Sequence, residues 1–165
     1  FEFTPDYRPA PGITRYQCGT QPMISLASLE CGVDTLLGAE PLGGMAALRV
    51  KSLALTDLFI ALVEERCAGH GLGLATPRGH AQRGSQVCLT KDQGGYAIVQ
   101  ALIARRVIGD FRAGDGGRYP DILRFGFTPL YTGFVDVWNA VDHLKQVLES
   151  GEWQRPEFNR KHDVT

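Results

Sequence analysis

The stretch Asp121-Ile-Leu-Arg-Phe-Gly-Phe127 predicts the strand around which the rest of the fold is arranged. Successive side chains of a strand point to opposite faces, so Leu123, Phe125 and Phe127 share one face. Arg124 lies on the other face. Three large apolar side chains in a row of this kind need helices to cover them. The stretch therefore predicts a sheet with one face under helices and an opposite face that carries Arg124.

The sequence on either side of this strand supplies the remaining elements. Alternating apolar residues predict further strands at 72–74, 87–89 and 107–111. Apolar residues at helical spacing predict helices over 22–37, 45–67, 95–103 and 134–150, and the second of these carries two apolar rows that predict cover on more than one side. The tail from 152 to 165 is polar and predicted to be peripheral. This order of elements predicts an α+β domain, with a small, largely antiparallel sheet and helices on one face.

The N-terminal part of the chain fits this domain less well. Pro41, Gly43 and Gly44 interrupt the helical pattern, which predicts a boundary between residues 1–44 and residues 45–165. The chain also opens without Met in a proline-rich stretch, and we expect it to be a fragment of a longer protein.

Composition excludes several classes of function. The 165 residues carry 17 Lys and Arg against 18 Asp and Glu, so no basic excess favours nucleic acid as a partner. The four cysteines show neither paired spacing nor metal-ligand spacing with the four histidines, so we expect reduced thiols and no metal site. No signal peptide or membrane-spanning run is evident, which predicts no membrane association and a cytoplasmic location.

Arg124 is the first candidate for a binding residue. Its guanidinium would project beside Gly126, where the missing side chain leaves room for a ligand. Arginine binds a carboxylate with two parallel hydrogen bonds, which lysine cannot do. The alternative, and the more frequent situation for an arginine, is an exposed strand residue in a surface ion pair.

Thr20 is the second candidate, in the string Gly19-Thr20-Gln21-Pro22 before a predicted helix. Threonine is a good N-cap residue and proline is tolerated in the first turn, so capping alone explains the string. The same arrangement can bind an anion, because free amides and the positive end of the helix dipole converge there. Both interpretations remain open, and capping is the commoner one.

Six longer strings occur along the chain: FTPDYRPAPGITRYQCGTQP at 3–22, KSLALTDLF at 51–59, RGSQV at 83–87, GYAIVQALIA at 95–104, VIGDFR at 107–112 and LRFGFTPLY at 123–131. They resemble the C-terminal part of the bacterial-type kynureninases, and the resemblance extends in order over essentially the whole chain. The resemblance implies the α/β fold of the type I PLP-dependent transferases and a homodimer. It also implies hydrolysis of L-kynurenine, or its 3-hydroxy form, to anthranilate or 3-hydroxyanthranilate and L-alanine, a step of tryptophan catabolism that leads to NAD biosynthesis.

The resemblance also implies roles for particular residues. Thr20 matches the threonine that reaches the PLP phosphate of the other subunit, Arg124 matches the arginine that binds the substrate α-carboxylate, and Gly19 would lie near the aromatic ring of the substrate. Residues 1–44 would close the large PLP-binding domain, and 45–165 would form the small domain. The lysine that binds PLP covalently would belong to the N-terminal half, outside this chain, so no catalytic residue is expected here and the chain alone is not expected to be active.

Departures from the family pattern and two other interpretations remain. The stretches 38–44 and 112–121 are longer and richer in glycine than is usual in the family. One alternative is a non-catalytic α+β domain that holds a small carboxylate ligand on Arg124 or binds another protein. The other is a PLP enzyme of the same fold, such as a cysteine desulfurase, although the cysteines fall in predicted ordered segments rather than in a mobile catalytic loop.

Overall fold

A computed structural model describes residues 5–17 and 19–160 of the chain. At its centre is a four-stranded antiparallel sheet in the order β1-β2-β4-β3. The strands are β1 (Leu72–Leu74), β2 (Gln86–Lys91), β3 (Asp110–Arg112) and β4 (Asp121–Gly126). The predicted antiparallel sheet is confirmed, and β4 lies between β2 and β3.

The helices are α1 (Met23–Leu37), α2 (Gly44–Arg66), α3 (Gly95–Ala104), α4 (Phe134–Ser150) and α5 (Pro156–Asn159). Of these, α2, α3 and α4 cover one face of the sheet, as predicted. Val87 and Leu89 of β2 and Leu123 and Phe125 of β4 are buried beneath helices α2, α3 and α4 in a shared core. Burial of this apolar face is the main favourable contribution to the fold.

A cluster of three aromatic rings attaches α2 to the end of β4. The ring centroid of Phe59 lies 5.1 Å from that of Phe125 and 5.0 Å from that of Phe127, both in tilted arrangements. Phe59 is 1% exposed. Tilted aromatic pairs at this separation add stabilisation to that of simple burial. The position of β4, and of Arg124 on it, therefore depends on α2.

Two predictions of local structure are wrong. The strand predicted at 107–111 is observed only at Asp110–Arg112, because Arg106 takes a left-handed backbone with φ of 66° and the Val107 amide still donates to the Leu102 carbonyl. The chain is thus leaving α3 where the alternating pattern predicted a strand. The tail is not wholly peripheral either, since Trp153 and Phe158 pack against the core.

The α1 helix forms where predicted, but none of its residues is buried. Ile24 is 86% exposed, and Leu29 and Leu37 are more than half exposed. The start of α2 is exposed as well, at Met45 and Val50, so the predicted cover on more than one side holds only for its later turns. Two apolar surfaces thus remain uncovered at the N-terminal end of the domain.

The turn between α1 and α2 depends on glycine. Gly43 and Gly44 both have positive φ, of 102° and 57°, which residues with a side chain rarely adopt. A Cβ on Gly44 would also lie 2.7 Å from Oε1 of Glu40. This turn coincides with the predicted boundary between residues 1–44 and residues 45–165.

Three of the four cysteines are free thiols, namely Cys31, Cys67 and Cys88, whereas Cys18 lies outside the described residues. Burial raises the pKa of the Cys67 thiol to about 11. Cys67 is therefore protonated at neutral pH and acts as a small apolar residue of the core.

A buried arginine joins the loop before β2 to α2. The Arg83 side chain is 1% exposed and pairs with the Asp57 carboxylate, and its Nη1 donates to the Arg78 carbonyl at 3.2 Å. His80 Nε2 lies 2.8 Å from the other oxygen of Asp57. Burial raises the pKa of Asp57, but the hydrogen bonds from Arg83 and His80 outweigh this effect, so the pKa lies below its ordinary value.

Asn in place of Asp57 is expected to destabilise the protein by about 1–3 kcal/mol at pH 7, the usual cost of leaving a buried polar partner unsatisfied. Because the pKa of Asp57 is lower in the folded than in the unfolded state, its contribution is complete above the unfolded pKa, near pH 4. The contribution is lost as the pH falls through the folded pKa. Urea unfolding at pH 7 and pH 3 should therefore show a difference between Asp57→Asn and wild type that narrows at the lower pH.

Glu64→Gln is the matched control for this prediction. Glu64 pairs with Arg78 where both side chains are about half exposed or more, so its removal should change stability by less than about 1 kcal/mol. A difference for Asp57→Asn that stays constant between pH 7 and pH 3 would contradict the assignment to the carboxylate charge.

Candidate functional site

Arg124 lies on the face of the sheet opposite to the helices. Its neighbours on the same face are set by register, since β2 pairs Cys88 with Arg124 and β3 pairs Asp110 with Arg124. The Arg124 side chain is 30% exposed, whereas the flanking Leu123 and Phe125 are buried. The predicted alternation of β4 is confirmed.

The Arg124 guanidinium is already engaged in an ion pair. Its Nη2 contacts Oδ2 of Asp110, on the adjacent strand. The predicted alternative of an ion pair is thus what the structure shows. Within the described residues, however, Nε of Arg124 is buried and has no hydrogen-bond partner. A guanidinium has five N–H donors, so the group retains capacity for a further acceptor.

Gly126 leaves the predicted space beside Arg124. A Cβ placed on it would meet no other heavy atom within 4 Å. Residue 126 is exposed, and β2 pairs it with Gln86 rather than with a bulky apolar residue. A small molecule can therefore approach the sheet backbone two residues from the guanidinium.

Thr20 and Gly19 are exposed residues of the segment that precedes α1. The capping prediction is wrong, because the helix begins at Met23, its N-cap is Pro22, and no side chain caps it. The first-turn amides of a helix lack intrahelical acceptors, so those of α1 are available to an anion. Within the described residues, no hydrogen bond joins Thr20 to Arg124.

A groove of about 540 Å³ opens on the helix side of the sheet, at the end of β4. Its lining includes Gly126, Phe127, Tyr131, Arg105 and His143. Sequence patterns missed this groove because its residues come from β4, α4 and the turn after α3. No signal in any single segment would have identified it.

Arg105 stabilises one wall of this groove. Its Nε and Nη2 donate to the two carboxylate oxygens of Glu152 at 2.6 and 3.0 Å, and its Nη1 donates to Oε1 of Gln146 at 2.6 Å. The hydrogen bonds from Arg105 lower the pKa of Glu152. This arginine therefore joins the end of α3 to α4 and to the turn after α4.

Residues 5–17 and 19–160 contain no group of three or more His, Cys, Asp or Glu side chains placed to hold a metal ion. Over the same residues, no helix combines the length and apolar character needed to cross a membrane.

Comparison with known proteins gives the family. Residues 48–144 match the family model described as the kynureninase C-terminal domain. The chain belongs to this family. The match begins within α2, includes all four strands and Arg124, and ends within α4. Thr20 and Gly19 lie before it.

Individual kynureninases are similar over the whole chain. The chain is 53% identical over 165 residues to the kynureninases of Burkholderia mallei (strain SAVP1), Burkholderia pseudomallei (strain K96243) and Pseudomonas fluorescens. These 165 residues are all of this chain and 37% of each relative. The α+β architecture predicted from sequence is thus that of a kynureninase C-terminal domain, and the cysteine desulfurase alternative is not favoured.

Proposed function

We propose that this chain is the C-terminal part of a cytoplasmic, PLP-dependent kynureninase. The complete enzyme would hydrolyse L-kynurenine, or 3-hydroxykynurenine, to anthranilate or 3-hydroxyanthranilate and L-alanine, in tryptophan catabolism and NAD biosynthesis. The observation that carries this proposal is 53% identity to kynureninases along all 165 residues. The open face around Arg124 supplies a binding group of the right chemistry for an amino acid substrate.

Arg124 would bind the α-carboxylate of the substrate. The guanidinium is held on a central strand, and a charged hydrogen bond to a carboxylate is stronger than a neutral one. The open space at Gly126 allows the substrate to lie against the sheet. Gly19, whose Cβ position is also open, would lie near the aromatic ring of the substrate. Arg124 would thus orient the substrate without exchanging a proton with it.

The residues before α1 fit the phosphate of PLP. Thr20 offers an exposed hydroxyl, and the uncapped first turn of α1 offers amide donors and the positive end of a helix dipole. In a homodimer, Thr20 would serve the active site of the other subunit. PLP, when bound, supplies the electron sink for cleavage of the substrate carbon chain.

The lysine that binds PLP would lie in the N-terminal half of the complete protein. Lys51 donates to the Pro129 carbonyl at 2.7 Å, and Lys145 pairs with Glu149 on its own helix. Neither occupies the open face with Arg124. On this proposal, the 165-residue chain alone is not expected to catalyse the reaction.

The division of the chain follows from the same proposal. Residues 1–44 would complete the large PLP-binding domain, and 45–165 would form the small domain. The exposed apolar residues of α1 support this division, because a helix that buries nothing against its own domain needs another surface. The same exposure argues against the alternative of a self-sufficient binding domain, which should not leave such a patch in water.

An activity measurement tests the proposal. An intact-mass spectrum first establishes which polypeptide is in the sample, and the complete protein is then incubated with PLP and L-kynurenine. We expect anthranilate and L-alanine in equal amounts from the complete protein and neither from the 165-residue chain. Parallel assays with 3-hydroxykynurenine establish the preferred substrate. A complete, PLP-loaded protein that forms no product from either substrate would refute the proposal.

A further inference from the structure

We infer that Asp110 is a positioning residue for the substrate carboxylate, acting through Arg124. Asp110 holds the guanidinium in the orientation in which it receives the substrate. This inference rests on the proposed function, because it concerns the binding group of that same site. It assigns a role to an acidic residue that at first sight would repel an anionic substrate group.

Asp110 and Arg124 are register partners on the neighbouring strands β3 and β4, so their side chains leave the sheet on the same face. Oδ2 of Asp110 contacts Nη2 of Arg124. On the other side of Arg124, Cys88 accepts a hydrogen bond from Gln86 Nε2 at 3.1 Å and offers no charge. Among the described residues, Asp110 therefore supplies the ion pair that orients the guanidinium.

The Asp110 carboxylate is itself held in place by hydrogen bonds to its other oxygen, Oδ1. Oδ1 of Asp110 accepts the Phe111 backbone amide at 2.7 Å and Nη1 of Arg112 at 2.9 Å. These contacts occupy one oxygen and leave the other directed at Arg124. A carboxylate held in this way transmits the geometry of the strand to the arginine side chain.

Asp110, Arg112 and Arg124 form a charged cluster on the open face of the sheet. Two guanidinium groups, those of Arg112 and Arg124, surround one carboxylate. The cluster therefore keeps a net positive charge and still attracts an anionic group. Asp110 lowers the positive charge next to Arg124 but does not make it negative. Asp110 can therefore position the guanidinium without repelling the substrate carboxylate.

Pairing with Asp110 also lowers the entropy that the Arg124 side chain loses when it binds a ligand. Arginine has one of the largest rotamer entropies among side chains, and a mobile arginine must lose that freedom when it binds a ligand. Pairing with Asp110 restricts the side chain before the substrate arrives, while the side chain stays 30% exposed and can be reached by a ligand. Removal of the Asp110 charge should therefore weaken substrate binding and leave the chemical step almost unchanged.

The test uses Asp110→Asn in the complete, PLP-loaded enzyme. We expect KM for L-kynurenine to rise about three- to tenfold, the range for loss of a partly exposed charged hydrogen bond, with kcat within about twofold of wild type. Asp110→Ser, which keeps an acceptor for the Phe111 amide but no charge, should give the same result. Asp142→Asn is the matched control, because it removes the 2.5 Å pair between Asp142 on α4 and Arg66 at the end of α2, and it should leave KM unchanged.

A double substitution separates this inference from the proposed function. If Asp110 acts through Arg124, adding Asp110→Asn to Arg124→Gln causes no further rise in KM beyond that of Arg124→Gln alone. An unchanged or lowered KM for Asp110→Asn, or additive effects in the double variant, overturns the inference about Asp110. An unchanged KM for Arg124→Gln overturns instead the binding role of Arg124, and the inference falls with it.

Discussion

Alanine in place of Arg124 is expected to lower kcat/KM for L-kynurenine by about 10²- to 10³-fold in the complete enzyme. On the proposed role, the substitution would remove the charged partner of the substrate carboxylate, and truncating one partner of a charge pair that the bound substrate shields from water costs about 2–5 kcal/mol. Since each 1.36 kcal/mol is a factor of ten, the middle of that range gives the expected loss. Most of the effect should appear in KM, because the proposed role of the guanidinium is to hold the substrate and not to transfer a proton.

Two further variants test whether the loss of activity depends on the guanidinium group of Arg124. Arg124→Lys keeps the charge but not the planar pair of donors, so its activity should fall between those of alanine and wild type. Arg78→Ala removes an exposed arginine whose partner is Glu64 on α2, and should leave the kinetics unchanged. Steady-state kinetics with L-kynurenine measures all three variants. Wild-type values for Arg124→Ala would contradict the proposal that Arg124 binds the substrate.

Alanine in place of Phe59 is expected to destabilise the protein by about 3–5 kcal/mol, the range for removing a buried phenylalanine. Its ring packs against Phe125 and Phe127 and is 1% exposed, so the cavity left behind would lie directly under the end of β4. The midpoint of urea unfolding measures the loss. Because β4 also carries Arg124, we expect KM for L-kynurenine to rise in the same variant.

The size of the replacement provides the control for Phe59. Phe59→Leu fills most of the space and should cost less than half as much as Phe59→Ala. Val135→Ala, at a position on α4 that is 69% exposed, should change stability by about 0.5 kcal/mol or less. A loss below about 1 kcal/mol for Phe59→Ala would show that the three rings do not form a tightly packed cluster.

The sheet and its two faces could be predicted because β4 shows strict alternation, which is a local property of the sequence. The end of α3 could not, because the left-handed turn at Arg106 has no apolar signature and Val107 is apolar in either a strand or a turn. Trp153 and Phe158 lie in a polar stretch, and their packing depends on where α4 ends. Each of these errors arises where the tertiary environment decides the conformation.

The candidate site was predictable in its main binding group and not in its surroundings. Arg124 and Gly126 follow from one strand, whereas the Asp110 partner depends on the register between β3 and β4. The connection from 113 to 120 does not fix that register, since many pairings are compatible with a loop of this length. Pro22 occupies the N-cap where Thr20 was expected, because a helix can begin several residues after a good capping residue.

Because the side chains of β4 alternate between the core and the open face, neighbouring positions of this strand are under different evolutionary constraints. Leu123 and Phe125 are fixed by the core, where most replacements cost stability. Ile122 and Gly126 point to the open face, where a replacement changes the shape next to Arg124 and leaves the packed side intact. A new ligand preference could therefore arise by varying alternate positions of one strand, so that selection for binding and selection for folding act on different residues only one position apart.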